Sequence, residues 1–256
     1  MVSEVPFIKL VINLRSEIGI LIINGYSNCL RNIMTEAYKI KIALYKKIFK
    51  EIKQGYIAIP ELSLFSAVAD MVVINGDIHI YEIKSKVDSL SRLKNQLSRY
   101  RNCADKVTVV ADEKFIPKLL EHPDMTDIGI MQVDHNMKIK VIRKAVAITM
   151  ESENYMAYWT GSEIKEALRG LKGHSKISID EAREKLLQLL TPQEMKNVTI
   201  YKLKMKYGYE FLERQRLIKE KRYQEALEGR FISMQPKSIS PLMTMPAYLF
   251  RSFELS

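Results

Sequence analysis

The sequence predicts an α/β sandwich on a mixed sheet, followed by a smaller all-α region. Three observations predict it. Apolar runs of strand length, separated by turn residues, fill Ile57 to Lys84; segments of helical period flank them; and beyond Glu151 helical patterns continue with no strand pattern among them. A chain of 256 residues can bury one full core and carry a second, smaller unit. The expected organisation is an N-terminal extension over 1–30, an α/β domain over 31–150, a helical domain over 151–232 and a poorly ordered tail over 233–256.

From Met34 to Gln54, Tyr38, Ile42, Tyr45 and Phe49 recur at helical spacing with lysines on the other face, and Thr35 or Asn32 is available as a cap. Gly55 ends that helix. Three strands follow, Ile57–Leu64, Val68–Ile74 and Ile78–Lys84, with Asn75-Gly76 as a hairpin signal between the last two. Asp88 or Ser89 can cap a second helix through Leu90, Leu93, Leu97 and Tyr100, after which Lys106–Val110 reads as a buried strand. Glu113–Leu120 is helical in pattern despite Pro117, and Ile128–Val133 and Met137–Val141 read as two further strands at the sheet's edge. Past Glu151 come Ser162–Leu171, Asp180–Leu190, a helix opened by Thr191-Pro192, and a last helix from Tyr209 to Leu227.

With 40 Lys and Arg against 30 Asp and Glu, the formal net charge is +10, which favours a polyanionic partner because cations that neutralise phosphates release counterions. Nucleic acid leads that list. The two cysteines, Cys29 and Cys103, and four scattered histidines argue against zinc fingers and disulfide frameworks, and fit a reducing cytoplasm. The apolar stretch Phe7–Ile23 is broken by Lys9, Arg15 and Glu17, too soon for a membrane span, and reads as an element packed on the core.

The chemistry concentrates in Ala69-Asp70-Met71 and Tyr81-Glu82-Ile83-Lys84. Two carboxylates and an ammonium there sit in strands that are otherwise apolar, where an unpaired ion costs several kcal/mol, roughly 3–5. A bound cation makes the pair of acids tolerable. Glu82 and Lys84 share a strand face; Asp70 joins them only if the hairpin loop has an odd number of residues, such as Ile74-Asn75-Gly76. Asp70 and Glu82 are hard oxygen ligands suited to Mg²⁺ or Mn²⁺, the main-chain carbonyl of Ile83 is a third candidate ligand, and Lys84 is placed to orient water or neutralise a phosphate. Glu-x-Lys also occurs at Glu51/Lys53, Glu163/Lys165 and Glu194/Lys196, but in helical surroundings where it makes a solvated face.

Asp70, Glu82-x-Lys84 and Gln96-x-x-x-Tyr100 together resemble the PD-(D/E)XK nuclease superfamily, the Gln/Tyr pair being similar to the added motif of its RecB-like branch. The run Ala69 to Gly76 with Glu82-Ile83-Lys84-Ser85, Asp88-Ser89-Leu90 and Arg92-Leu93 is similar to a family of uncharacterised bacterial proteins predicted to be such nucleases. The likeness covers about residues 57–112 and, more weakly, 156–204. It implies a restriction-endonuclease-like fold, hydrolysis of DNA phosphodiesters with Mg²⁺ or Mn²⁺, catalytic roles for Asp70, Glu82, Lys84, Gln96 and Tyr100, and a further acid. Glu61, in Pro60-Glu61-Leu62, is favoured for that acid over Glu36 in the first helix. Ala69 replaces the proline of the superfamily's name without removing a ligand. An alternative is a catalytically silent fold of this type that binds DNA or a protein.

Lys86 and Arg92 beside the site, and Lys165, Arg169 and Lys172 in the helical region, are candidate phosphate contacts. Residues Ser162–Leu190 resemble helix-extended-helix modules that bind nucleic acid, and Tyr158 and Trp159 are the expected docking point onto the sheet domain.

Overall fold

A computed structural model of the chain describes residues 36–51, 55–64, 67–168, 176–229 and 231. The expected extension over 1–30, the tail over 233–256, Arg169, Lys172 and Cys29 lie outside the described residues.

Six strands form one mixed sheet in sequence order: β1 (Ile57–Leu64), β2 (Ala67–Ile74), β3 (Ile78–Lys84), β4 (Lys106–Asp112), β5 (Gly129–Val133) and β6 (Ile139–Arg143). The meander β1–β2–β3 is antiparallel, β3, β4 and β5 run parallel, and β6 returns antiparallel as an edge. Strand β3 is almost wholly buried, covered on both faces although it carries His79, Glu82 and Lys84 among its apolar residues. Helix α1 covers 36–51. It is joined by α2 (Leu93–Arg101), α3 (Ile116–Glu121), α4 (Gly161–Ala167), α5 (Ile179–Leu189), α6 (Pro192–Lys219) and α7 (Tyr223–Glu228). Among the described residues no helix is long and apolar enough to cross a membrane.

The flanking helices lie on opposite faces. Tyr100 of α2 bonds to Glu82, whereas Glu51 of α1 acts on Tyr81, which points the other way from the same strand. Helix α1 stacks Phe49 on Phe211 of α6 at 5.3 Å, and α6 in turn contacts β1 and β2. The helices beyond residue 151 therefore share one continuous apolar cluster with the sheet. Tyr158 donates to the carbonyl of Cys103, while Trp159 meets α6 instead, its Nε1–H donating to Thr199 Oγ1 at 2.9 Å. Lys196 of α6 clamps the hairpin end of the sheet by pairing with Asp77 at 2.7 Å and Asp105 at 2.9 Å.

Four departures from the expected boundaries have a local cause. Helix α2 starts at Leu93 with no side-chain cap, because the Asp88 carboxylate is taken by the backbone and hydroxyl of Ser85, and Ser89 accepts from Ser91. Strand β6 begins at Ile139, since Met137 adopts φ 60° in the preceding turn. The helix opened by Thr191-Pro192 has a full capping box and runs unbroken to Lys219, through Gly208 and past the predicted start at Tyr209. Just past its end, Lys221 takes a φ of 62° and separates it from α7. Finally, Glu113–Phe115 is a 3₁₀ turn and Pro117 sits in the first turn of α3, where its missing N–H costs nothing.

Gly129 lets β5 close onto β4. A Cβ there would lie 2.4 Å from Thr108 Oγ1 and 2.9 Å from the backbone nitrogen of Ala145. Gly129→Ala is expected to lower stability by roughly 2–3 kcal/mol, read as the shift in urea midpoint at unchanged slope.

Candidate active site on strands β2 and β3

The β2–β3 hairpin fixes the site. Its register pairs Met71 with Tyr81 and Ile74 with Ile78, so three residues, Asn75, Gly76 and Asp77, form the loop. The loop is odd, as a shared face demands, though it lies one residue later than Ile74-Asn75-Gly76. Gly76 takes φ 96°, a left-handed angle that glycine adopts without a Cβ penalty, and Asn75 Oδ1 accepts from the N–H of Asp77. Continuing the register sets Asp70 opposite Glu82, both on the α2 side of the sheet.

Glu82 is 3% exposed and Lys84 8% exposed. Lys84 Nζ donates to Glu82 Oε1 at 2.7 Å and to Gln96 Oε1 at 3.0 Å. Gln96 Nε2 donates to the same Glu82 oxygen at 2.7 Å, and the Tyr100 hydroxyl donates to Glu82 Oε2 at 2.8 Å. Both carboxylate oxygens of Glu82 are thus held by donors from β3 and α2. Gln96 and Tyr100 are one helical turn apart, so a single face of α2 supplies both. Burial and the carboxylate of Glu82 keep the Tyr100 phenol far above its ordinary range, and it acts as a neutral donor.

Asp70 is held differently. Its Oδ2 accepts from the main-chain N–H of Ile83 at 2.8 Å. Burial, then the like charge of Glu82, push its carboxyl up to about 6, against the opposing pull of the Ile83 N–H, Lys41 and Lys84. Two acids facing each other in a largely apolar sheet, one of them reluctant to ionise, form a site whose charge a cation would balance.

The two candidates for a further acid are not brought together with this pair. Glu61 stands across from Asp70 in the β1–β2 register, but its φ of 53° turns it outward; it is 63% exposed and paired with Lys41 at 2.7 Å. Glu36 pairs with Lys86 at 3.1 Å. Among the described residues no three Asp, Glu, His or Cys side chains converge as a metal cluster. Of the candidate acids, the fold brings together Asp70 and Glu82, whereas its backbone angle and its lysine hold Glu61 apart from them. Ile83 contributes its N–H to Asp70 and buries its side chain on the other face.

Lys41 is a member of the site that sequence reasoning missed. It is one lysine of many on an amphipathic helix, and only the fold reveals that it lies between Glu61 and Asp70. Arg92 is exposed where α2 begins, and Lys165 is half-buried in α4. On the opposite face of β3, His79 is half-buried and neutral, loss of solvent and the nearby Lys106 pushing it down to about 3, with one ring nitrogen against Thr108 and the other against Tyr81.

Tyr100→Phe would leave Glu82 Oε2 and the carbonyl of Val68 without their shared donor. The expected cost is about 1–3 kcal/mol, measured by chemical denaturation.

Comparison with known proteins gives three likenesses. Protein cII of Enterobacteria phage P4 is 28% identical over 178 residues, covering 66% of this chain and 67% of that protein. A protein of unknown function from Silicibacter pomeroyi, known by its solved structure, is 17% identical with a TM-score of 0.37 over 46% of this chain and 77% of its own, a likeness too loose to carry an argument. The profile of the family described as Bacteriophage P4 protein cII matches residues 31–227, from just before α1 to the last turn of α7. On that match the chain belongs to the bacteriophage P4 protein cII family.

Proposed function

We propose that the chain is a metal-dependent nuclease that hydrolyses DNA phosphodiesters at Asp70, Glu82 and Lys84, on a restriction-endonuclease-like sheet. The observation that carries this reading is the meeting of Asp70 and Glu82 across β2 and β3, with the ammonium of Lys84 on the same face. Asp70 and Glu82 would hold Mg²⁺ or Mn²⁺, which when bound polarises a phosphate and lowers the pKa of a coordinated water. Lys84 supplies a fixed positive charge to the phosphate or positions the attacking water. Gln96 holds the Lys84 ammonium, and Tyr100 fixes the far oxygen of Glu82, so neither charged group can rotate away. Lys86 and Arg92, just beyond β3, and Lys165 with Arg169 and Lys172, are the proposed phosphate contacts.

The fit of the metal is partial, which favours one second reading. Both oxygens of Glu82 already have internal donors, and no third acid converges among the described residues. A closed network of that kind suits a nuclease-type fold that binds DNA or a protein without cutting.

Incubation of linear and covalently closed circular DNA with the full chain in Mg²⁺ or Mn²⁺ decides between them. Cleavage that stops on chelation and in Asp70→Asn supports the nuclease. DNA binding with no cleavage in either metal supports the silent module, and equal cleavage by wild type and Asp70→Asn would place the chemistry elsewhere.

A further inference from the structure

On the outer side of α1 lies an open groove of about 610 Å³. One wall is α1, carrying Lys39, Lys46, Lys47, Lys50 and Glu51; the other is made by Asn136 in the β5–β6 turn and Tyr223 of α7. Lys39, Lys46 and Lys50 are exposed and spaced i, i+7, i+11, so they form one line along the helix, roughly 16 Å long at 1.5 Å per residue. Among the described residues none of these three has an acidic partner, whereas Glu51, the acid on the groove wall, is taken by Lys47 at 2.5 Å. Lys46 Nζ instead rests 4.2 Å from the centre of the Tyr223 ring.

Unpaired like charges in a line repel one another, and a polyanion laid along them relieves that repulsion while shedding its own counterions. The groove is separate from the candidate active site. Lys41, two residues and about 200° around α1 from Lys39, is the lysine that faces Glu61 and Asp70. From the lysine line, the walled shape and the ring at one side, we infer that this groove binds single-stranded nucleic acid, its phosphates along Lys39, Lys46 and Lys50 and a base against Tyr223. A walled trough of this size accepts an extended strand more readily than the side of a duplex, and only unpaired bases offer a face to stack on a tyrosine. The inference does not rest on cleavage: it holds whether or not Asp70 and Glu82 bind a metal.

The test is fluorescence anisotropy of a labelled oligothymidylate of about 20 nucleotides with the full chain in EDTA. Lys39→Glu/Lys46→Glu/Lys50→Glu is expected to weaken binding at least about tenfold and to reduce the slope of log K against log salt by about 2, at roughly 0.7 for each of three phosphates on a single strand. The triple change to Gln is measured alongside and is expected to give the same order, so that the result does not depend on reversed charges. Lys118→Glu/Lys176→Glu/Lys185→Glu, at exposed lysines that do not line the groove, changes net charge equally and is expected to weaken binding less than about threefold. Tyr223→Ala is expected to cost about fivefold on the single strand and nothing on a duplex of the same length. Equal losses in the groove and control triples would overturn the proposal, because the attraction would then be diffuse. So would wild-type affinity in the groove triple, or a duplex bound as tightly as the single strand with Tyr223→Ala changing neither.

Discussion

Lys84→Met is expected to reduce the rate of DNA cleavage by about 10²–10³, the range for removing one positioned charge or donor from a developing anion, while leaving DNA affinity within a few fold. Methionine keeps most of the lysine stem, so the side chain still fills the space between β3 and α2. The substitution also leaves Glu82 with two of its three donors, Gln96 and Tyr100. A loss of up to about 3 kcal/mol is therefore expected, and single-turnover cleavage is to be read beside thermal unfolding of the same sample. An unchanged cleavage rate in a folded Lys84→Met protein would remove Lys84 from the chemistry.

Asp70→Asn is expected to make the metal-free protein more stable at pH 7.5 and to leave it unchanged near pH 3.5. The sign follows from protons. The Asp70 carboxyl is raised from 3.8 to about 6 in the folded chain, so the folded state binds more protons than the unfolded one between these values. Its contribution is most favourable below 3.8, is lost as the pH rises through about 6, and is constant above that. Two units correspond to on the order of 2–3 kcal/mol, or roughly 5–10 °C for a domain of this size. Asparagine escapes the ionisation yet keeps an oxygen for the Ile83 N–H. Mn²⁺ should reverse the order at pH 7.5, raising the unfolding temperature of the wild type alone, because only ionised Asp70 gains from it. Identical pH profiles for the two proteins would show that Asp70 ionises without strain.

Much of this arrangement was legible in the sequence. The apolar runs around Asp70 and Glu82 identify β2 and β3 because few other patterns bury both faces, and period two puts Glu82 and Lys84 together before any fold is known. The partnership of Gln96 and Tyr100 follows from helical spacing once α2 is recognised. What could not be read depends on competition between local bonds. Asp88 serves Ser85 rather than the start of α2, and nothing in its neighbours announces that choice. The left-handed backbone at Glu61 is likewise invisible, since glutamate gives no hint of positive φ; that one angle separates the expected third acid from the other two. The length of helix α6 is hidden because Gly208 and its lysines mask a continuous run whose apolar contacts come from α1, the 3₁₀ turn over Ser152–Tyr158 and the sheet together.

The claim on which the nuclease reading depends is that a divalent cation is held between Asp70 and Glu82. Isothermal titration of Mn²⁺ into the intact chain at pH 7.5, with and without an oligonucleotide, measures it directly. One saturable site in the wild type that disappears in Asp70→Asn is the predicted result; no uptake under either condition, or the same uptake in both proteins, would contradict it.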